Sequence, residues 1–312
     1  MTKPLSSSKV LIVGLVRNCE DIIEREVLRI SSAFSEAKTV NCLVIESDSE
    51  DGTLATLEKL SENDWFEFIT LGKLQNQYPK RTERIALCRN RYLEELSSRK
   101  IYNDIDYVVV VDLDGVNSEL TAAAVKSCWT LTEDWDACFA NQSKVYYDIW
   151  ALRHKTWCPN DCWQTYSFLL NNGVGTFAAL QAAVYSRMIS INRNKNPIEV
   201  DSAFGGLGIY KKSAIMSSTY IGLDDNEEEF SEHVHLHTVM RGKGLRLYIV
   251  PSLINCGWNE HSNKVRIIAR IKERLRFFVI SFIKLFVSKE KLKKILLNPN
   301  ERMSSQSKEA KK

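Results

Sequence analysis

The sequence predicts an α/β fold built on a doubly wound, largely parallel sheet. Three observations predict it. Val10-Leu-Ile-Val-Gly14 and Tyr107-Val-Val-Val-Val111 are unbroken apolar runs, the pattern of strands buried on both faces. Strand-like and helix-like segments alternate between them in β-α-β-α order. Two carboxylates, Asp112 and Asp114, stand where the second run ends. In open α/β sheets, ligands bind outside that end of the strands.

Each element follows from local pattern. Val10–Val16 is the first strand. Glu20–Phe34 has apolar residues at Ile22, Ile23, Val27, Leu28 and Ile30, a helical spacing. Val40–Ile45 is the second strand, and Asp51–Leu60 a helix after an acidic loop. Phe66–Leu71 is the third strand, and Thr82–Leu96 a helix rich in Arg and Leu. Tyr107–Val111 is the fourth strand. The second half is less regular. It holds Ala137–Ala140, an aromatic stretch through Trp163 and the glycine-rich Phe204-Gly-Gly-Leu-Gly208. An acidic loop at Asp224–Glu229, a helix at Ser231–Arg241 and a strand at Leu245–Val250 follow. Pro251 and Gly257 punctuate the end of the compact region.

The 312 residues suffice for one large α/β domain or two small ones. Residues 1–9 read as a flexible polar tail and 10–260 as the folded domain. Residues 261–298 read as basic amphipathic helices and 299–312 as a disordered tail. The first apolar run is too short for a secretion signal, and no run reaches the ~20 apolar residues of a membrane span. Eight cysteines are scattered, several in apolar segments. Cys158 and Cys162 form the single close pair, without the second pair a zinc site wants. Reduced thiols in a cytoplasm are expected, with a local disulfide at that pair as the alternative.

Charge is lopsided. From His261 onward 15 Lys and Arg face 4 Asp and Glu; the preceding residues carry a net −8. The stretch Lys264–Leu297 mixes these cations with Ile, Leu, Phe and Val. It reads as helices lying on an anionic membrane surface, or packed on the domain with a wet basic face. The acidic body and the lack of a recognised module argue against nucleic acid.

The Asp112–Asp114 pair carries the chemistry. Side chains two apart on a strand point the same way. Two such charges are costly together unless a cation neutralises them, and Mg²⁺ or Mn²⁺ prefers oxygen ligands. Glu46 and Asp48 follow the second strand, placed either to contact a nucleoside or, with Ser49 and Asp51, to shape the next helix start. No phosphate-cradling glycine loop follows the first strand. Arg81, Arg84, Arg89 and Arg91 suit phosphate or a solvated face paired with glutamates. His233, His235 and His237 alternate, but on a helix 233 and 237 share a face while 235 turns away, which argues against zinc. His261 is open to two roles, metal ligand or loop histidine. Tyr146, Tyr147, Trp150, Trp157 and Trp163 suit a carbohydrate surface or a core. Gly205, Gly206 and Gly208 permit a sugar pocket or mark a bulge.

Four stretches, in this order, resemble a known family: Ile45-Glu-Ser-Asp-Ser-Glu-Asp-Gly-Thr53, Arg84-Ile-Ala-Leu-Cys-Arg-Asn-Arg-Tyr-Leu93, Val111-Asp-Leu-Asp114 and Tyr147-Asp-Ile-Trp-Ala-Leu-Arg153, with a looser match at Ser231-Glu-His-Val234. The chain is similar to GT-A-fold nucleotide-sugar glycosyltransferases, most of all the fungal capsule-associated α-1,3-mannosyltransferases, over roughly 9–258. Asp48 departs from the family pattern, where a small residue is common. The resemblance implies a hexosyltransferase, retaining, with a GDP- or UDP-hexose donor and a glycan or lipid-linked glycan acceptor. It divides the domain into a nucleotide-binding half, 10–118, and an acceptor half, 119–260. It implies Mn²⁺ or Mg²⁺ on Asp112 and Asp114, with His261 as a further ligand, and nucleoside contacts from Glu46 and Asp48. Arg84, Arg89 and Asn90 would stand near the donor, and Asp148 and Arg153 on the sugar or acceptor side. Glu232 is the candidate base of an inverting reaction or a substrate-orienting group of a retaining one, with His233 beside it. The implied place is the inner face of a membrane, peripherally. The rivals are a sugar-phosphate nucleotidyltransferase, which usually carries an early glycine-rich loop, and a non-catalytic membrane-surface scaffold.

Overall fold

The computed structural model describes residues 2–265; the basic helices and tail expected beyond them lie outside the described residues. Residues up to Ser262 form one compact unit. Its first half follows the sequence pattern closely. Strand β1 (Lys9–Val16) leads to helix α1 (Ile23–Ala33), β2 (Thr39–Glu46), α2 (Thr53–Leu60), β3 (Phe66–Thr70), α3 (Arg81–Ser98) and β4 (Tyr107–Asp112). β1 pairs in parallel with β2 on one side and β4 on the other, and β2 with β3. Alternation sorts the side chains. Val10, Ile12, Val44, Val109 and Val111 pack with Ile23, Val27 and Ile30 of α1 and Leu57 of α2. Leu11, Val13, Leu43 and Val110 are also fully buried, on the opposite face, where α3 crosses β1 and β2. Strands covered on both faces need apolar residues at every position, which is why these runs do not alternate with polar ones.

The second half adds α4 (Ala122–Lys126), β5 (Ala137–Gln142), α5 (Cys162–Asn171), α6 (Thr176–Ala183), β6 (Ile198–Glu199), β7 (Leu207–Lys211), α7 (Lys212–Ile215), α8 (Glu232–Gly242) and β8 (Leu247–Cys256). The eight strands lie in the order β3-β2-β1-β4-β7-β5-β8-β6. β7 inserts antiparallel between β4 and β5, and β6 is antiparallel to β8; the remaining pairs are parallel. The glycine-rich stretch therefore delivers a central strand rather than a loop. Its glycines hid that strand, because glycine weakens strand propensity. Gly206 sits at φ +83°, and a Cβ there would meet the Tyr147 hydroxyl and Val116 Cγ1, each at 2.8 Å. Close approach of neighbouring side chains and a left-handed backbone both require glycine here.

β8 also runs past Pro251, which the sequence suggested as a stop. The β5–β8 register shifts around Asn141, and the Asn141 amide donates to the Pro251 carbonyl at 2.9 Å. Proline is tolerated at such a bulge, where the ladder is already broken. All eight cysteines are free thiols. No helix among the described residues is long and apolar enough to cross a membrane.

Candidate active site

The ends of β4 and β8 and the start of α8 converge on one cleft. β4 ends at Asp112, whose backbone N–H donates to the Gly206 carbonyl at 2.9 Å. The chain then turns at Gly115 (φ +94°), and Val116 N–H donates to the Asp114 carboxylate at 3.2 Å. The floor is a buried amide network. Asn117 donates to the Asp112 carbonyl at 2.7 Å, Asn255 donates to Asn117 Oδ1 at 2.9 Å and to the Gly205 carbonyl at 2.8 Å, and Gln142 donates to Asn255 Oδ1 at 3.1 Å. All three amides are fully buried. A satisfied network of this kind rigidifies what it carries. It ties the ends of β4, β5 and β8 to the Gly205-Gly206 turn.

Asp112 and Asp114 have different partners. Asp112 lies 3.6 Å from Arg89 Nη2. Burial at the cleft floor pushes its carboxyl up, to about 7; Arg89 pulls it down, and Asp114, Asp148 and Glu232 push it further up. Asp114 is exposed and lies with Glu260 and His261, the ligand atoms of the three all within 4.8 Å of one another. Two carboxylates and one imidazole suit a hard or borderline divalent ion, and Mn²⁺ or Mg²⁺ fits this donor set. The His261 ring stacks on Tyr147 at 5.4 Å, which orients it toward Glu260. The same residues border a cavity of about 300 Å³ with Gly115, Ser118 and Trp258. Glu260 was missed from the sequence. Its adjacency to His261 was the available signal, but an acidic residue in a polar loop is ordinary.

Arg89, projecting from α3, is the centre of the buried side of the cleft. Its Nε donates to Glu232 Oε1 at 2.8 Å. Its guanidinium lies over the Phe204 and Tyr220 rings, 5.3 and 5.6 Å from their centres. Arg89 is 4% exposed and Glu232 7%. A buried guanidinium between two carboxylates and two aromatic faces stays charged, and the carboxylates raise it further against desolvation. Asp148 accepts from Gly205 N–H at 2.9 Å and Ala151 N–H at 3.3 Å, and burial raises its carboxyl, opposed by those hydrogen bonds. Glu232 and His261 act electrostatically on it, so it belongs to the same cleft. His233 is buried, stacked on Phe204 at 3.9 Å; burial, then Arg89, hold it well below the usual imidazole value and therefore neutral. His237 shares its face and is held by Ser202 and the Tyr210 hydroxyl, each at 2.9 Å.

The other expected site residues also make contacts within the protein. Glu46 accepts from Ser49 N–H and the Thr70 hydroxyl. Asp48, buried at φ +62°, accepts from Gln75 N–H at 3.0 Å. Arg84 donates to the carbonyls of Tyr78 and Pro79 and lies 3.9 Å from Asp48. Asn90 clamps the backbone of Tyr220 through both its amide atoms. Asp51 turns its carboxylate onto Thr53 N–H at the start of α2. Arg153 grips Asp161 at 2.7 Å and the carbonyls of Trp150 and Leu152 at 2.8 Å. Glu46, Asp48 and Arg84 nonetheless line up beside one another at the end of β2.

No family model matches this sequence, and no curated protein matches it. Among solved structures it is similar to a mannosyltransferase from Pyrobaculum calidifontis in complex with GDP-Man and Mn²⁺, at 15% identity and TM-score 0.43 over 80% of this chain. The chain spans 56% of that protein's length. It is also similar to S. aureus TarS 1-349 in complex with UDP-GlcNAc, at 13% identity and TM-score 0.44 over 92% of this chain and 70% of that one. A third is mannosyl-3-phosphoglycerate synthase from Rubrobacter xylanophilus, at 14% identity and TM-score 0.43 over 94% of this chain and 78% of that one. At such low similarity the chemistry rests on the residues themselves.

Proposed function

We propose that the protein is a metal-dependent hexosyltransferase. It moves a hexose, with mannose as the candidate, from a GDP- or UDP-hexose to a glycan or lipid-linked glycan acceptor, with retention of configuration. The observation that carries this reading is the Asp114–Glu260–His261 cluster beside Asp112, at the carboxyl end of β4, where parallel sheets place their ligands. A divalent ion there would act as a Lewis acid on a leaving diphosphate. The polar loops after β1, β2 and β3 are stitched together by Asn18, Asp48 and Lys73 and would receive the nucleoside. Resemblance to the capsule-associated mannosyltransferases supports the same donor class.

Retention is supported by the state of Glu232. Its Oε1 is engaged by Arg89, and the residue is nearly closed to solvent. A general base must reach the acceptor hydroxyl. Glu232 would first have to leave its ion pair, so it serves to position Arg89 and the cleft wall. Asp148, adjacent and half-buried, faces the sugar or acceptor side. The implied setting is a peripheral one on the inner face of a membrane, where a lipid-linked acceptor is reached.

A thermal-shift panel of UDP-, GDP- and CMP-sugars with and without Mn²⁺ tests the proposal. A bound ligand raises the melting temperature by mass action. A Mn²⁺-dependent shift with one nucleotide sugar, followed by release of its nucleoside diphosphate when acceptor is added, is the expected result. No shift with any of them defeats the reading and favours a scaffold; pyrophosphate release from a nucleoside triphosphate and a sugar phosphate would favour a nucleotidyltransferase.

A further inference from the structure

Helices α5 and α6 form an uncharged, aromatic hairpin. No charged side chain occurs in the 25 residues 162–186. Eight large hydrophobic side chains are exposed among the described residues, and four of them, Trp163, Phe168, Leu170 and Ile189, lie on this hairpin or just after it. Phe168 is 65% exposed. Within α5 the one buried side chain is Cys162, at the helix start. One face of α5, Cys162, Thr165, Tyr166 and Leu169, is covered at helical spacing, while Trp163, Phe168 and Leu170 stay exposed beside it, an apolar surface that packing within the domain does not use.

The base of the hairpin is fixed. Asp161 caps α5 by accepting from the N–H groups of Trp163 and Gln164, at 2.8 and 3.1 Å, and is itself held by Arg153. The Trp157 indole donates to the Arg187 carbonyl at 2.7 Å, and Arg187 donates to Cys158 Sγ at 3.2 Å. Gly173, at φ +84°, turns the chain between the two helices. The apolar side chains are thus presented from a rigid root.

Charge identifies the occupant. Residues 149–198 carry five basic side chains, Arg153, Lys155, Arg187, Arg193 and Lys195, against Asp161 alone, which Arg153 already neutralises. Lys155, Arg193 and Lys195 are exposed. Along the sequence this is a cationic stretch, bounded by Asp148 and Glu199, in a body whose residues before His261 are net acidic. Exposed aromatics and leucine flanked by free lysine and arginine match the two layers of a lipid interface, hydrocarbon boundary and anionic headgroup. A second copy of the chain would bring its own cations against these and be repelled.

We infer that the α5–α6 hairpin docks the protein on an anionic lipid bilayer. Trp163, Phe168 and Leu170 enter the boundary between headgroups and acyl chains, while Lys155, Arg193 and Lys195 meet lipid phosphates. This deepens the lipid-facing part of the proposed function. Its test omits nucleotide and acceptor, so that either proposal can fail without the other.

The test is co-sedimentation of the full chain with vesicles of phosphatidylcholine alone and with roughly a third phosphatidylglycerol added. Binding is expected with the anionic vesicles, falling about tenfold in Phe168→Asp/Leu170→Asp at an unchanged melting temperature. Should that double variant precipitate, Phe168→Ser carries the same comparison, with an expected loss of about threefold. Bromolipids in the vesicles are expected to quench tryptophan fluorescence, and Trp163→Phe to remove that quenching. Unaltered vesicle binding in the variants overturns the proposal. So does conversion of a dimer into a monomer with vesicle binding retained, which assigns the face to a second copy.

Discussion

Arg89 joins Glu232 to Asp112: its Nε donates to Glu232 Oε1 at 2.8 Å while Nη2 of the same guanidinium stands 3.6 Å from Asp112 Oδ1. One cation from α3 therefore compensates two carboxylates that belong to α8 and to the end of β4. The close carboxylates at that strand end do need a cation, and for Asp112 the fold itself supplies one.

Arg89→Ala is expected to destabilise the domain by about 3–5 kcal/mol, because it leaves the buried Glu232 carboxylate without its cation. Arg89→Lys should recover part of the loss, since an ammonium keeps the charge but not the planar contact with Phe204 and Tyr220. Urea denaturation measures both. A cost below about 1 kcal/mol for the alanine variant would show that the pair is not what holds α3, α8 and β4 together.

Asp114→Ala and His261→Ala are each expected to weaken Mn²⁺-dependent nucleotide-sugar binding by at least about tenfold while leaving the melting temperature of the free protein unchanged. Both side chains are exposed, so folding does not depend on them. Isothermal calorimetry with and without Mn²⁺ reads the effect. Full-strength binding in both variants would remove the cluster as a metal site.

Glu26 predicts a pH dependence of stability. It is fully buried in α1, one oxygen bound to Arg29 and the other without a hydrogen-bond partner. Burial raises its carboxyl above the ordinary value of 4.5, with Arg29 and Arg25 opposing. The folded state therefore keeps the proton longer than the unfolded state does. Stability falls as pH rises from the ordinary value through the raised one, and is flat below both. Glu26→Gln should raise the melting temperature relative to the parent at pH 8, and the difference should shrink toward pH 4. A difference independent of pH would place the effect in packing instead.

Gly206→Ala is expected to cost roughly 1–3 kcal/mol from the left-handed backbone alone. The new methyl group also presses on the Tyr147 hydroxyl, so His261, which stacks on that ring, should move with it. Weakened Mn²⁺ binding together with lower stability in chemical denaturation is the expected signature. A variant as stable as the parent contradicts the close approach.

Thiol titration separates exposed from buried cysteine. Cys19 alone is half-buried; the other seven thiols are buried, and burial raises several of them, Cys162 and Cys256 to about 12. A neutral disulfide reagent should find one fast-reacting thiol in the folded protein and eight after denaturation. Six in the denatured chain without reductant would mean that one disulfide had formed, and peptide mapping would show whether it joins Cys158 to Cys162.

The sequence by itself determined the first half of the fold. Runs such as Val108–Val111 have no reading other than a strand covered on both faces, and the helical spacing from Ile23 to Ile30 places α1 against it. The place of Asp112 in the candidate site was legible for the same reason, because a strand end fixes where it must be. Only the tertiary structure decided what each charged group does there. Arg89, Glu232 and Asp112 lie on three elements far apart in the chain, and an ion pair among them leaves no periodic trace. Glu260, the Asn117–Asn255–Gln142 floor and strand β7 escaped for related reasons. Each is set by contacts across the sheet, while its local residues, a polar loop, isolated amides and a run of glycines, favour no structure of their own.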